Sequence, residues 1–391
     1  MNKKPKIIRI TTVPLSLLHL LRGQMSFMRK NGFDVIMVSS DGNELQEVLN
    51  NEKCKHFVFN LTRRISPVLD LITMFKLYMF FLKQRPDIVH THTPKAGIVG
   101  MLASYLAKVP NRLHTVAGLP LLEAKGVKKI ILNIVEKFTY VFATKVYVNS
   151  LGLKKIILDN NLIKHDKLKF IGNGSSNGID TKYFDPNQYS NKKKNSLKKQ
   201  LKINKNDFVF IFVGRVVGDK GINELIKAFN IFSSNNDGIK LLIVGSFEEN
   251  LDALNQKTKQ IINLNKSIIH VGYQKDVRPF FSISNVLAFP SYREGFPNAV
   301  LQAGAMGIPS IVTNINGCNE IIMEDKNGII IPVKNFEAIL NAMKKIYFNP
   351  SYYHILKNQC RSIIKDRFEQ KYFWKELLNE YKTCKLESIN K

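Results

Sequence analysis

The sequence lacks the long apolar runs that a membrane-spanning helix needs. Its longest uncharged apolar stretches, such as AGIVGMLASYLA from Ala96 to Ala107, fall well short of the ~20 residues that a span requires. The N-terminal MNKKPKIIRITTV carries basic residues, but its apolar part is short and no small-residue cleavage pattern follows. We therefore expect a chain with neither a membrane span nor an export signal.

Cysteine is scarce, and its spacing excludes two kinds of site. The four cysteines, Cys54, Cys318, Cys360 and Cys384, show no CxxC spacing, so neither a zinc site nor a disulfide framework is indicated. This pattern is typical of a reducing compartment, and we expect a cytoplasmic location. The sequence also has no Asp-x-Asp motif, so we predict that no divalent ion and no other cofactor is required.

Acidic residues are also few: the 391 residues include 31 Asp and Glu against 58 Lys and Arg, a formal net charge of +27. Such a charge suits a nucleic-acid partner or an anionic membrane surface, or it reflects a Lys- and Asn-rich composition with no partner at all. Lysines cluster at Lys125–Lys129 and Asn191–Lys199 without interleaved aromatic residues, and no helix-turn-helix or RNP pattern occurs. We therefore favour a membrane surface over nucleic acid.

Short runs rich in β-branched residues alternate with helical patterns along the whole chain, which predicts an α/β fold with parallel sheets. A chain of this length exceeds one hydrophobic core, so two Rossmann-like domains are expected, with their sheets facing across a cleft. The predicted strands are KIIRITTV, DVIMVSS, HFVFN, DIVHTH, NRLHTVA, TKVYVNS and LKFIGN in the first half and FVFIFVG, IKLLIVG, SIIHVG, VLAFPS, PSIVT and GIIIPV in the second.

The predicted domain boundaries follow a composition change. A stretch full of Gly, Asn, Ser and Lys separates the two sets of strands. We predict an N-terminal domain at 1–175, a linker at 176–205, a C-terminal domain at 206–365 and a C-terminal helix at 366–391. Whether that helix packs back onto the N-terminal domain is left open.

Two helical patterns carry unusual residues. SPVLDLITMFKLYMFFLKQRPD, from Ser66 to Asp87 and preceded by Arg63 and Arg64, is apolar on most of its circumference. Packing against the first sheet and partial insertion into a membrane interface both explain it. The later RFEQKYFWKELLNEYK predicts an amphipathic helix that places the only tryptophan, Trp374, in the core.

The segment FVFIFVGRVVGDKG predicts a buried strand that ends at Gly214 and is followed by Arg215, Lys220 and Gly221. Ligands of open α/β sheets bind at the carboxyl ends of strands, where glycines permit close approach and cations meet phosphate oxygens. We therefore predict a diphosphate site. The spacing is not that of a Walker A loop, and GNGSSNG is one residue too long for a dinucleotide fingerprint.

The segment SYREGFPNAVLQAGAMGIPSIVTN, from Ser291 to Asn314, follows another predicted strand in the same way. A helix beginning near Pro297 directs its first N–H groups at the turn, which favours an anion there. Glu294 would repel such a ligand unless it binds something else, and sugar hydroxyls are suitable donors. Gln302 offers an amide to a diol, and INGCNEII places Gly317 and Glu320 on the next loop.

These motifs resemble, in order and spacing, the family 4 retaining glycosyltransferases of the GT-B fold, and the resemblance covers nearly the whole chain. It is carried by GRVVGDKG, PSYREGFPNAVLQAGAMGIPSIVT, NGCNEII and NGIIIPV in the second half and by DIVHTHTPKAGIVGMLAS and NGIDTKYFDP before them. The nearest members build capsule, exopolysaccharide or O-antigen repeats on a lipid carrier. The resemblance assigns donor binding to Gly214, Arg215, Lys220, Glu294, Gly295, Phe296, Pro297, Asn298 and Gln302, with Arg215, Lys220 and Glu294 as catalytic residues.

The resemblance has two departures. In the family a Glu-x7-Glu pair contacts the transferred sugar and the ribose; Glu294 matches the first position, whereas Gln302 replaces the second glutamate. Many members also carry a histidine where this chain has Ala117, and no glycine-rich first loop is present. The remaining candidates for sugar or acceptor contacts, each open to a structural or functional role, are His92, His114, Gly118, Gly317 and Glu320.

The resemblance thus implies transfer of a sugar from a nucleotide diphosphate, with UDP as the expected nucleotide, to a lipid-linked saccharide at the inner membrane face, with retention of configuration. Two alternatives stay open at this point. A nucleotide-sugar 2-epimerase of the same fold would release a free product without an acceptor. A basic nucleic-acid-binding protein would bind in a strongly salt-dependent way and ignore nucleotide sugars.

Overall fold

A computed structural model describes residues 4–62, 66–119 and 124–389. The chain divides into two compact units, one formed by Met1–Gly178 with Gln370–Lys391 and the other by Ile179–Glu369. The stretch 176–205, predicted as a linker, spans the first junction and contains a helix at Asn191–Gln200 in the second unit. The final helix belongs to the first unit.

The first unit is built on a seven-stranded parallel sheet with the strand order β3-β2-β1-β4-β5-β6-β7. Helices cover both faces of the sheet, so its inner strands are buried. Strand β2 is largely apolar, whereas β4 and β5 also bury histidine and threonine side chains. The strands are β1 Lys6–Ile10, β2 Asp34–Ser39, β3 Lys55–Val58, β4 Ile88–His92, β5 Asn111–Val116, β6 Lys145–Val148 and β7 Leu168–Phe170.

Helices form a layer on each face of this sheet, and each layer has its own buried core. Helices α4, α5 and α6 pack side by side in one layer, whereas α1, α2, α3 and α17 contribute to the other. The helices are α1 Pro14–Leu20, α2 Gln24–Lys30, α3 Leu45–Glu52, α4 Pro67–Gln84, α5 Pro94–Leu106, α6 Gly126–Phe142, α7 Leu151–Asp159 and α17 Gln370–Ile389.

The second unit contains a six-stranded parallel sheet with the order β10-β9-β8-β11-β12-β13 and one large core. Its strands are β8 Phe208–Val213, β9 Ile239–Val244, β10 Ile268–His270, β11 Val286–Phe289, β12 Ser310–Thr313 and β13 Gly328–Ile331. Its helices are α8 Asn191–Gln200, α9 Ile222–Ser234, α10 Glu249–Asp252, α11 Gln256–Leu264, α12 Arg278–Ser282, α13 Asn298–Ala305, α14 Cys318–Ile321, α15 Phe336–Tyr347 and α16 Pro350–Phe368.

The predicted α/β class is confirmed, and each of the thirteen predicted strand segments overlaps an observed strand. In each sheet, the order in which the chain adds strands reverses once. The chain proceeds from β1 towards one edge and from β4 towards the other, and β8 and β11 stand in the same relation in the second sheet. Such a reversal leaves an open crevice at the carboxyl ends of the two central strands, where α/β sheets bind their ligands.

Two expectations about helices need correction. The C-terminal pattern is not one helix, because α16 ends at Phe368 and α17 begins at Gln370, with extended backbone at Glu369 between them. Trp374 is half-buried rather than in the core, and its indole Nε1 donates to Asn177 Oδ1 at 2.7 Å.

Helix α4 buries one side only, through Thr73, Leu77 and Phe81. Packing against the sheet therefore explains only part of its apolar character. Arg63 and Arg64, which precede it, lie outside the described residues. Within the described ranges, no helix combines the length and the hydropathy needed to cross a bilayer.

Candidate active site

The loops after β8 and β11 lie side by side at the reversal point of the second sheet. Tyr292 N donates to the Asp219 carbonyl at 2.9 Å, and Ser291 Oγ donates to the same oxygen at 3.4 Å. Gly221 has φ +70°, and a Cβ there would stand 2.1 Å from the Pro290 carbonyl oxygen. Only glycine tolerates this backbone angle and this approach, so Gly221 allows the two loops to meet.

A second glycine brings the loop after β12 to the same place. Gly317 has φ +76°, and a Cβ on it would lie 2.5 Å from the Gly295 carbonyl oxygen. The Asn316 side-chain amide donates to the Glu294 carbonyl oxygen. The turn that carries Glu294 is therefore held by the neighbouring loop and does not depend on its own sequence alone.

The site contains a close ion pair between Lys220 and Glu294. Lys220 Nζ lies 2.5 Å from Glu294 Oε1 and 3.4 Å from Ser291 Oγ. The two side chains retain 11% and 16% of their exposure, so each is mostly shielded from water. An amine and a carboxylate are thus placed together where a phosphorylated sugar could contact both groups.

Two further cations lie on the same two loops. Arg215, directly after Gly214, has a side chain that is 43% exposed, and its Nη1 lies 3.6 Å from Glu248 Oε2. Arg293 Nη2 contacts Asp219 Oδ2 at 2.8 Å. Arg293, Ser291 and Asn316 were not predicted from the sequence. Arg293 could have been proposed, because it is next to Glu294 in the sequence. Asn316 could not, because its contact with Glu294 joins loops that follow different strands.

Helix α13 begins directly after the Glu294 turn. Pro297 is its N-cap and makes no side-chain capping bond, so first-turn N–H groups remain available to an anion. Asn298 and Gln302 are four residues apart and therefore lie on one side of the helix. Gly295 and Phe296 complete the turn, and Phe296 is buried against the core.

Gly317 and Glu320 have structural roles in the described geometry. Glu320 Oε1 accepts from Gly317 N at 3.3 Å, which caps α14, and the Glu320 carbonyl accepts from Arg367 Nη2 at 2.7 Å. Cys318, between them, is fully buried. Burial, followed by the negative charge of Glu294, raises the pKa of its thiol well above the usual range.

The histidines proposed to contact the sugar or acceptor are buried in the first unit. His92 Nε2 lies 2.7 Å from Arg9 Nη2, and because Arg9 can only donate, His92 accepts at Nε2. His114 Nδ1 lies 2.8 Å from Thr91 Oγ1, and burial lowers its pKa to about 3. Burial, followed by the Arg9 charge, lowers the pKa of His92 well below its ordinary value.

Three further residues, His90, Ala117 and Gly118, lie on or directly after the strands that carry His92 and His114. His90 is two residues before His92 on β4 and therefore lies on the same face of the sheet. Its Nδ1 is 2.6 Å from Tyr381 OH, and its Nε2 is 2.7 Å from Thr115 Oγ1. Ala117 and Gly118 follow β5, and the Ala117 carbonyl accepts from Asn149 Nδ2 at 3.3 Å. Contact with a sugar or an acceptor stays a prediction for all five candidates, His92, His114, Gly118, Gly317 and Glu320.

Two family models match the chain. The model described as glycosyl transferases group 1 matches residues 193–363, and the model described as glycosyl transferase 4-like matches residues 12–150. The first contains all the residues of the Lys220–Glu294 site. The second covers most of the first unit, including the buried histidines.

Individual proteins give the same result. The chain is 35% identical over 389 residues to the capsular polysaccharide biosynthesis glycosyltransferase CapM of Staphylococcus aureus, with 100% of both chains covered. It is 28% identical to the UDP-Gal:alpha-D-GlcNAc-diphosphoundecaprenol alpha-1,3-galactosyltransferase of Escherichia coli, with 94% of both covered. The crystal structure of Anabaena HepE with UDP and glucose superposes with a TM-score of 0.82 at 16% identity, covering 97% of this chain and 100% of that one.

The HepE likeness concerns the fold alone, because its sequence identity is low. The CapM match extends over the full length of both chains at an identity that establishes common family membership. With the two family models and the paired parallel sheets, it shows that this chain is a glycosyltransferase of family 4 with the GT-B fold.

Proposed function

We propose that this enzyme transfers a sugar from a nucleotide diphosphate donor, with UDP as the nucleotide, to a lipid-linked saccharide during assembly of a bacterial surface polysaccharide. The transferred group is a hexose or an N-acetylhexosamine, and its anomeric configuration is retained. Capsule, exopolysaccharide and O-antigen are the polymers concerned. CapM and the E. coli galactosyltransferase, whose names specify a capsule and a diphosphoundecaprenol acceptor, support this choice.

The observation that carries the proposal is the Lys220–Glu294 pair at the carboxyl ends of adjacent strands. A diphosphate needs cations, and sugar hydroxyls need acceptors. The pair places one of each 2.5 Å apart. Donor binding would draw the amine towards phosphate oxygens and leave Glu294 to accept hydrogen bonds from the sugar.

The main electrostatic requirement of the reaction is to stabilise charge on the departing diphosphate. Lys220 is suited to this because its partly desolvated amine interacts more strongly with an anion than it would in water. Arg215 supplies a second cation and a planar guanidinium that can bind two phosphate oxygens at once. The acceptor hydroxyl would attack from the face that the diphosphate leaves, which retains the configuration without a protein nucleophile.

Gln302 is proposed to bind the ribose of the donor. It lies on the Asn298 side of α13, about one helical turn beyond Asn298, and its amide can donate to one hydroxyl and accept from the other. A neutral amide forms a weaker contact than the charge-assisted bond of a glutamate. Ribose binding in this enzyme should therefore contribute less than in family members that keep the carboxylate.

The acceptor side is proposed to face an anionic membrane surface. The net charge of +27 attracts the enzyme to the cytoplasmic leaflet, where a lipid-linked saccharide is held. No nucleic-acid partner is proposed, and no divalent ion or cofactor is assigned to the reaction.

A product assay tests the proposed function. Radiolabelled UDP-galactose, UDP-glucose, UDP-N-acetylglucosamine and UDP-N-acetylgalactosamine are each incubated with the enzyme and undecaprenyl diphosphate N-acetylglucosamine in detergent. We expect label from at least one donor to enter the organic phase, and the Glu294→Gln variant to lose most of this turnover. Conversion of the donor to a free epimer without any acceptor would instead identify an epimerase.

A further inference from the structure

The outer surface of one helix layer in the first unit is apolar on two helices. On α4, six large side chains point outward and are between 43% and 75% exposed: Val68, Leu71, Ile72, Phe75, Met79 and Leu82. The opposite side of this helix is buried in the core of the unit. Helix α4 is therefore apolar towards both the protein and its surroundings.

On α6, the outward side is apolar, whereas the inward side mixes polar with apolar groups. Its outward side presents Val127, Ile130, Ile131, Ile134, Phe138 and Val141, between 41% and 72% exposed. Its inward side buries Glu136, Thr139 and Tyr140. Desolvation raises the pKa of the Glu136 carboxyl to about 7. A helix that faces water places polar groups outward and apolar groups inward, so this outward side is not suited to water.

The charged residues among the remaining exposed positions on these helices are all lysines. In the described part of α4, of α6 and of its N-cap, the other exposed residues are Lys76, Lys83, Lys125, Lys129, Lys137, Pro67 and Gly126. Asp70, an acid on α4, is paired with Lys95. By contrast, α15 in the second unit exposes Glu337, Asn341, Lys344 and Lys345 and buries its apolar residues. We call the outward side chains of α4 and α6 the apolar face.

The size and the charge of the apolar face decide which partner fits it. Twelve large side chains, each at least 41% exposed, lie on two helices that both pack against α5, and exposed apolar groups gathered in this way mark an interaction surface. A two-fold interface with a second copy would bring together two faces on which the exposed charged side chains, among the residues that the structure describes, are all lysines. Anionic lipid headgroups supply the opposite charge, and acyl chains supply the apolar phase.

We propose that the apolar face inserts into the headgroup and acyl boundary of an anionic bilayer, with its lysines extending to the phosphates. Interfacial helices bury their apolar side by ~5–10 Å, and lysine stems can follow apolar surface while their amines stay in water. Attachment then depends on apolar burial as well as charge. The choice of lipid as the occupant rests on the proposed function, which places the acceptor in a membrane.

Fluorescence quenching tests insertion directly. Trp374→Phe removes the only tryptophan, and Phe138→Trp then reports from the apolar face. The matched control is Phe348→Trp in the second unit, where Phe348 is 60% exposed against 51% for Phe138. On vesicles containing phosphatidylserine and brominated phosphatidylcholine, Trp at 138 should lose fluorescence and shift to the blue, whereas Trp at 348 should not. Equal emission of the Phe138→Trp reporter on brominated and unbrominated vesicles would overturn the proposal.

A binding measurement checks the energetic part. Ile134→Asn combined with Phe138→Asn should lower vesicle partition about tenfold to a hundredfold, because two half-exposed apolar side chains no longer enter the lipid. Leu264→Asn combined with Phe348→Asn, at exposed positions of the second unit, should leave partition unchanged. Circular dichroism confirms folding of both variants. Unchanged partition of the first variant would contradict lipid insertion.

Two more readouts separate the proposal from its alternatives. If sedimentation equilibrium gave a dimer for the parent and a monomer for Ile134→Asn with Phe138→Asn, a second copy would be the occupant and the lipid proposal would be wrong. UDP affinity is measured in parallel. If the Phe138→Trp reporter showed no quenching while UDP binding and sugar transfer were intact, insertion of the apolar face would be refuted and the proposed function would stand. Absent UDP binding would instead refute the proposed function.

Discussion

Replacement of Lys220 by methionine is the most informative perturbation of the proposed donor site. The side chain is 11% exposed, so its stem packs in the protein, and methionine preserves much of that volume. The change removes the amine that lies 2.5 Å from Glu294 Oε1. It therefore removes a diphosphate contact and leaves a mostly shielded carboxylate without its partner.

Both consequences weaken UDP binding. A hydrogen bond to a charged group contributes about 1.5–3 kcal/mol, which corresponds to a loss of roughly tenfold to 150-fold in affinity. The unpaired Glu294 adds repulsion towards the phosphates. The double variant Lys220→Met with Glu294→Gln removes this repulsion, so it should recover part of the affinity, and the difference measures the coupling of the pair.

Isothermal titration calorimetry with UDP measures these effects. The control is Lys344→Met on exposed α15, which changes the net charge equally and should leave the affinity unchanged. Arg215→Ala should weaken binding by a smaller factor because its side chain is 43% exposed. If Lys220→Met and Arg215→Ala both bound UDP as tightly as the parent does, the assignment of the diphosphate to this site would be wrong.

The remaining predictions concern the ribose, acid stability, the membrane and metal. Gln302→Leu should weaken UDP and the complete donor by similar factors, and equal affinity and rate in calorimetry and turnover assays would remove ribose contact from its role. Because the pKa of His114 falls to about 3 on folding, the free energy of unfolding should fall by up to ~1.4 kcal/mol per pH unit as the pH drops from 6.5 towards 3. Urea titrations at several pH values measure this dependence; if it were the same in His114→Gln as in the parent, the prediction would be wrong. Sedimentation with vesicles should show a preference for anionic over neutral lipid, partly reversed by added salt, and Lys125/Lys128/Lys129→Ala should weaken it without changing UDP affinity; equal partition would exclude charge as an anchor. Turnover should persist in EDTA, and restoration by Mg²⁺ after its loss would refute metal independence.

The strands were predictable because parallel sheets covered on both faces read as continuous apolar runs. Phe208–Val213 and Ile239–Val244 match their predicted segments to within one residue. The break at Glu369 was not predictable, since the helical pattern continues across it. The interruption depends instead on a distant contact, in which Ile179 N donates to the Phe368 carbonyl at 2.8 Å.

The surroundings of the candidate site were less predictable than its position. The strand that ends at Gly214 located Lys220, and the strand VLAFPS located Glu294, but their ion pair joins residues far apart in sequence. The contact of Arg215 with Glu248 likewise links loops after different strands. The exposed side of α4 was also hidden, because a helix that is apolar almost all round gives no periodicity from which to tell its two sides apart.

A crystal structure with UDP bound tests the central claim most directly. The account predicts diphosphate oxygens at about 2.8 Å from Lys220 Nζ, a phosphate contact from Arg215, and ribose hydroxyls against Gln302, with Glu294 facing the position of the sugar. UDP bound elsewhere in the chain, or bound here with its phosphates away from both Lys220 and Arg215, would contradict it.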